Sequence, residues 1–180
     1  LAVSINPQIT TPSGFLGGLA RRLVADGLIA EELAREQQQK ALKSGTPFVS
    51  LLVENKLAPA VKIAEAASIE FGVPLLDLTS VDLDLQVIKT VNEKILRKSH
   101  ALPIFIRGRK IYVAVSDPTN LQALDEIKFA TGHAVEAILV EEDKLKKAID
   151  AAISSLESAS MNTVDSDLEM YGKKPDRHDR

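Results

Sequence analysis

With 180 residues, 45% of them hydrophobic, and a net charge of −3, the chain can bury one ordinary core or two small ones. It contains no cysteine, which excludes disulfides, thiolate catalysis and Cys-ligated metals, and its mild acidity offers nothing to nucleic acid. No apolar run approaches the roughly 18–20 residues of a bilayer span, and residues 1–12 lack a basic stretch followed by an apolar one, so the sequence reads as cytoplasmic.

Residues 1–12, with two prolines and no periodicity, read as a flexible arm. From Ser13 the pattern turns helical. Ser13 is placed to cap a helix carrying Leu16, Leu19, Ala20 and Leu23 and ending at Gly27. A second helix is expected over 30–42, with Leu33, Gln37 and Ala41 on one side and Ser44-Gly45 as its stop. Thr46-Pro47 reads as a cap followed by proline at the first helical position, opening a helix with Phe48, Leu51 and Leu52 that ends near Asn55. A fourth helix begins around Pro59, turns Ala60, Ile63, Ala64, Ala67 and Phe71 inward, and closes at Gly72.

The composition then changes. Residues 73–78, short and apolar between Gly-Pro signals, predict a strand, and 82–98 predicts one or two short helices with Leu85, Val87, Ile88, Val91, Ile95 and Leu96. Leu102, Ile104 and Ile106 alternate up to Gly108, and Ile111, Val113 and Val115 alternate beyond it, the pattern of a tight β-hairpin with Arg107, Arg109 and Lys110 at its rim. Asp117-Pro118 stops the second strand and Asn120 caps a helix over 121–131 containing Leu124, Ile127 and Phe129. A strand over 134–140 follows, and the acids Glu141, Glu142 and Asp143 open a last helix, at its positive end, reaching about Leu156. Residues 157–180 lose the pattern and read as a solvated linker. The expected fold is α+β: a helical-repeat part over 13–72, then a small α+β part over 73–156 with a β-hairpin and flanking helices.

The helical part repeats itself weakly. Leu19-Ala-Arg-Arg-Leu23-Val24-Ala-Asp-Gly27-Leu28 echoes Phe48-Val-Ser-Leu-Leu52-Val53-Glu-Asn-Lys56-Leu57. Each copy is a helix, a turn and the start of a second helix, and two such units can bury their leucine faces together.

Catalytic signatures are missing. No G-x-x-x-x-G-K-[ST] run (Walker A) or G-x-G-x-x-G loop occurs, and there is no H-E-x-x-H or G-x-S-x-G. His100, His133 and His178 lack metal-ligand spacing, and His100 and His133 read as loop histidines at strand ends. Asp82, Asp84 and Asp117 read as turn and cap residues. The sequence therefore predicts neither an enzyme nor a bound cofactor or metal.

Several segments fall together in a familiar order: the Leu-Val-Ala-Asp-Gly-Leu repeat, Phe71-Gly-Val-Pro-Leu-Leu-Asp-Leu78, Leu102-Pro-Ile, Val113-Ala-Val-Ser-Asp-Pro118 and Glu136-Ala-Ile-Leu-Val-Glu-Glu-Asp143. Over about 15–156 the chain resembles the N-terminal domain of the ATPases that drive type IV pilus assembly and type II secretion (MshEN-like). Asn55-Lys56-Leu57 is closest to the pilus extension type, PilB. The resemblance implies a regulatory piece that precedes a linker and an ATPase core. In some relatives, tandem R-L-G-x-x-L-V-x-x-G repeats bind cyclic di-GMP. Here Gly18 and Pro47 stand at the arginine positions, Ala20 and Val49 at the first glycine, and Lys56 at the second copy's last glycine. Losing both arginines removes charge-assisted hydrogen bonds of about 1.5–3 kcal/mol each, so direct nucleotide binding is the alternative reading. The first reading implied by the resemblance is protein docking. The partners would be a PilZ-type adaptor, in some bacteria bridged to a cyclic di-GMP receptor, inner-membrane pilus platform proteins, and the parent hexamer, at the inner face of the inner membrane. Phe15, Leu16, Leu19, Leu23, Leu28, Ile29 and Leu33 are the expected contact group, since a helical unit of about sixty residues leaves part of such a set uncovered. Phe15 and Leu16, at the helix start, are the most available of them. A generic self-associating scaffold is the reading from outside the family.

Overall fold

The computed structural model describes residues 15–171, with side chains as far as Met161. The arm over 1–12, the Ser13 cap and the end of the expected linker, 172–180, lie outside the described residues. Four helices come first: α1 (Gly18–Ala25), α2 (Glu31–Ser44), α3 (Phe48–Glu54) and α4 (Ala60–Phe71). Two short helices, α5 (Leu85–Ile88) and α6 (Glu93–Ser99), lead into the hairpin β1 (Ala101–Arg107) and β2 (Lys110–Val115). Then follow α7 (Leu121–Thr131), β3 (Ala134–Leu139) and a long α8 (Glu142–Tyr171). The fold is α+β, with a three-stranded sheet in the order β1-β2-β3.

The duplication is real at the level of the backbone. After α1, the Gly27 N–H donates to Val24 O and the Leu28 N–H to Leu23 O; after α3, the Lys56 N–H donates to Val53 O and the Leu57 N–H to Leu52 O. Both turns need one left-handed residue to satisfy the last helical carbonyls. Gly27 supplies it at φ +70°, whereas Lys56 is held there at φ +54°. The leucines of both copies then meet: Leu19, Leu23, Leu52 and Ile63 share one core with Ala34, Ala64 and Ala67. Two helix starts differ from the expectation. α1 begins at Gly18, later than Ser13 predicts, so Phe15 and Leu16 precede it, and Pro47 stands at the N-cap of α3, one place before the first helical position.

In the second part the hairpin forms as the alternation predicts, with Arg107 opposite Lys110 across a two-residue turn. Gly108, at φ +59°, provides the positive φ that such a turn requires. Strict alternation fails in β1: Ala101 to Ile104 are all buried, because a register shift between Pro103 and Phe105 inserts one extra residue and helices cover the strand. β3 runs parallel to β2, connected through α7. Asn120 caps α7 as expected, its Oδ1 accepting from the Ala123 N–H.

Two sequence expectations fail here. Residues 73–78 do not form a strand. They make one parallel bridge, with the Leu76 N–H donating to Leu139 O and the Leu139 N–H to Pro74 O. Asp77 then turns the chain into a 3-10 turn at Leu78–Ser80 by accepting from the Thr79 N–H. The last helix does not stop at Leu156 but runs to Tyr171, so much of the expected linker is helical. Polar residues 157–171 carry no core signal, yet they contain neither glycine nor proline to break a helix already nucleated.

Candidate functional site

The predicted contact group divides sharply. Leu19, Leu23 and Ile29 are core residues with no face left for a partner, so that part of the expectation is corrected by close packing of the two repeats. Leu16, Leu28 and Leu33 are half-buried against the same core. Phe15 is 84% exposed. It edges a shallow depression of about 460 Å³ with Leu16, Val24, Ala25, Arg21 and Arg35. Arg22, on another face of α1, is occupied by Asp26 at 2.9 Å and by Glu70 of α4 at 3.7 Å. Gly18 and Pro47, at the positions where the repeat pattern has arginine, lie at the starts of α1 and α3 and carry no charge.

A second concavity, about 370 Å³, opens between the α2–α3 turn and the α6–α7 side, lined in part by Thr46, Phe48, Lys98, Asp117, Asn120 and Glu126. Its polar groups are already engaged. Lys98 Nζ lies 3.0 Å from Glu126, Asp117 accepts from the Thr119 N–H and hydroxyl, and Asn120 Nδ2 donates to Ser99 O. These contacts fit the turn-and-cap reading of Asp117. Asp84 likewise caps α5 through the Gln86 N–H. At the hairpin tip, Lys110 pairs with Glu136 at 2.8 Å and Arg107 sits over the Phe105 ring. The described residues contain no cluster of His, Cys, Asp or Glu able to hold a metal ion.

Sequence reasoning missed the most unusual polar group. Glu142 is 3% exposed, at the root of α8. Ser50 Oγ of α3 donates to its Oε1 at 2.6 Å, and His100 Nε2 lies 2.5 Å from the same oxygen. Burial pushes the Glu142 carboxyl upward. The hydrogen bond and charge of His100, with the Ser116 and Ser50 hydroxyls, outweigh burial and hold it below the ordinary glutamate range. His100 ends α6 in the left-handed region, at φ +52°, directly before β1 as a strand-end histidine, and its side chain is 17% exposed beside Glu142. No spacing rule connects Ser50 to Glu142, which are 92 residues apart. The chain placed Glu142 among three helix-opening acids, and that was the one signal it offered.

Comparison with known proteins gives a consistent answer. Residues 71–159 match the MshEN domain family. The type IV pilus assembly ATPase PilB of Pseudomonas aeruginosa is 38% identical over 154 residues, 86% of this chain and 27% of that protein. PilB of Acinetobacter baylyi is 36% identical over 161 residues, covering 89% and 28%, and PilB of Myxococcus xanthus is 31% identical over 134, covering 74% and 24%. The chain thus spans about a quarter of the length of these relatives. At the level of fold, it resembles MshE, solved with cdg, at a TM-score of 0.56 and 20% identity over 74% of this chain and 97% of that one. The N-terminal domain of XpsE aligns at a TM-score of 0.61 and 18% identity, over 74% and 92%. Over residues 71–159 this chain is an MshEN domain, and its relatives are the PilB type IV pilus assembly ATPases.

Proposed function

We propose that the chain is a non-catalytic regulatory and docking module of a type IV pilus assembly ATPase, that it binds a PilZ-type adaptor, and that this contact controls pilus extension. In this reading, 13–72 is the docking unit, 73–156 joins it to α8, and the parent works at the cytoplasmic face of the inner membrane beside the pilus platform. The observation that carries it is Phe15, a large apolar side chain 84% exposed beside the depression on the first repeat.

The test is Phe15→Ala, titrated calorimetrically against a purified PilZ-type adaptor. Binding is expected to weaken at least about tenfold, as for a truncated aromatic anchor, with the melting temperature unchanged because the ring contributes little to the core. Unchanged affinity sinks the assignment. The alternative, direct sensing of cyclic di-GMP, draws support from the likeness to MshE solved with cdg. Gly18 and Pro47 weigh against it, since they supply no cation for a doubly anionic ligand. Stoichiometric heat on titration with cyclic di-GMP would promote that alternative over the adaptor.

A further inference from the structure

The two parts of the molecule meet where α3 and α4 pack on α8 and α4 on β3. Of the sheet, one residue, Leu139 of β3, enters the helical core. Around it, α3 and α4 lean on α8. What ties this joint beside that leucine is polar. Glu142 is buried between the parts, and its two contacts divide: His100 belongs to the same part as Glu142, whereas Ser50 reaches across from α3. The second crossing is the exposed pair between Glu54 of α3 and Lys146 of α8, 2.9 Å apart.

Such a joint opens more readily than an apolar seam. Beside Leu139 the side-chain bonds that cross it are polar, and polar contacts between units are the kind that permit relative motion. On opening, the Glu142 carboxylate keeps His100, and water replaces the Ser50 hydroxyl. We propose that Ser50 and Glu142 are the latch of a two-position joint, closed in this structure, that sets the direction of α8 relative to the helical part. Ser50 stands three residues beyond Pro47, in the second copy of the repeat. A partner seated on the helical part therefore biases the latch through α3. This last step rests on the regulatory reading above; the latch itself does not.

The test uses the absence of native cysteine to place spin labels. Lys40→Cys on α2 with Ser154→Cys on α8 spans the joint, and Lys128→Cys on α7 with Ser154→Cys stays within one part; all three sites are exposed. Double electron–electron resonance on the 180-residue chain should give one dominant distance for each pair. Ser50→Ala, which removes one net hydrogen bond, is expected to raise a second, open population across the joint roughly tenfold, with the Lys128–Ser154 distance unchanged. Glu142→Gln should act in the same direction. Cross-joint distances that stay unchanged in Ser50→Ala overturn the latch. So does equal broadening of both pairs, which would make Glu142 a general support of the core. If Glu142→Gln fails to fold, Ser50→Ala decides alone. Distances are read without adaptor, so loss of adaptor binding bears on the regulatory reading and leaves the latch standing.

Discussion

The two cores of this chain are built from different materials. The sheet part closes with branched and long side chains, among them Ile111, Val113, Ile127, Leu145 and Ile153. The helical part fills much of its core with alanine: Ala34, Ala58, Ala64, Ala66 and Ala67. Alanine lets helices approach closely but removes little apolar area from water. The helical core is therefore thin, and it borrows Leu139 from the neighbouring sheet. The difference teaches that the helical part leans on the sheet part more than the reverse.

Core truncations give the largest test of that asymmetry. Leu23→Ala and Ile127→Ala each remove a fully buried side chain and should cost about 2–5 kcal/mol. In hydrogen exchange, Leu23→Ala is expected to expose α1 to α4 while β2 amides keep their protection, whereas Ile127→Ala should loosen both parts. Identical losses at every amide in both variants would break the comparison.

Acid should find the joint next. The Glu142 carboxyl titrates below its ordinary value of 4.5. Its contribution is therefore fully present above that value and lost as pH falls through the lower folded one. Melting temperatures across about pH 2–6 should fall less steeply on the acid side in Glu142→Gln than in the parent chain. An unaltered slope would mean that the buried carboxylate contributes nothing to stability.

The smallest effect sharpens the duplication. Lys56 occupies a left-handed position that its repeat partner fills with glycine. Lys56→Gly should stabilise the helical part by about 0.5–1 kcal/mol, the relief of side-chain strain less glycine's extra entropy. Denaturant titration showing a loss instead would mean that the lysine side chain makes a compensating contact.

Much of the fold was legible in the chain because its signals are local. Gly108 with alternating neighbours specifies a hairpin, Asn120 specifies a helix start, and the leucine spacing marks both repeats. The failures have equally local causes. Residues 73–78 are apolar enough for a strand, but Asp77 captures the Thr79 N–H and turns the chain after one bridge. The stretch after Leu156 lacks a hydrophobic stripe, and periodicity says nothing about a helix that propagates on propensity alone. The expected contact group was half legible: its place at the helix start marks Phe15 as the available member, and its exposure agrees, but spacing cannot say that the second repeat covers Leu19, Leu23 and Ile29. Glu142 was hidden altogether. A buried carboxylate looks like a helix-opening acid until the fold brings Ser50 and His100 to it.

The length of α8 gives the joint its reach. Thirty residues of helix extend roughly 45 Å at 1.5 Å per residue, so a tilt of about 10° at Glu142 swings the far end by roughly 8 Å. A stiff rod held at its root by the proposed Ser50–Glu142 latch would work as a lever, turning a small displacement at the joint into one wider than a helix backbone.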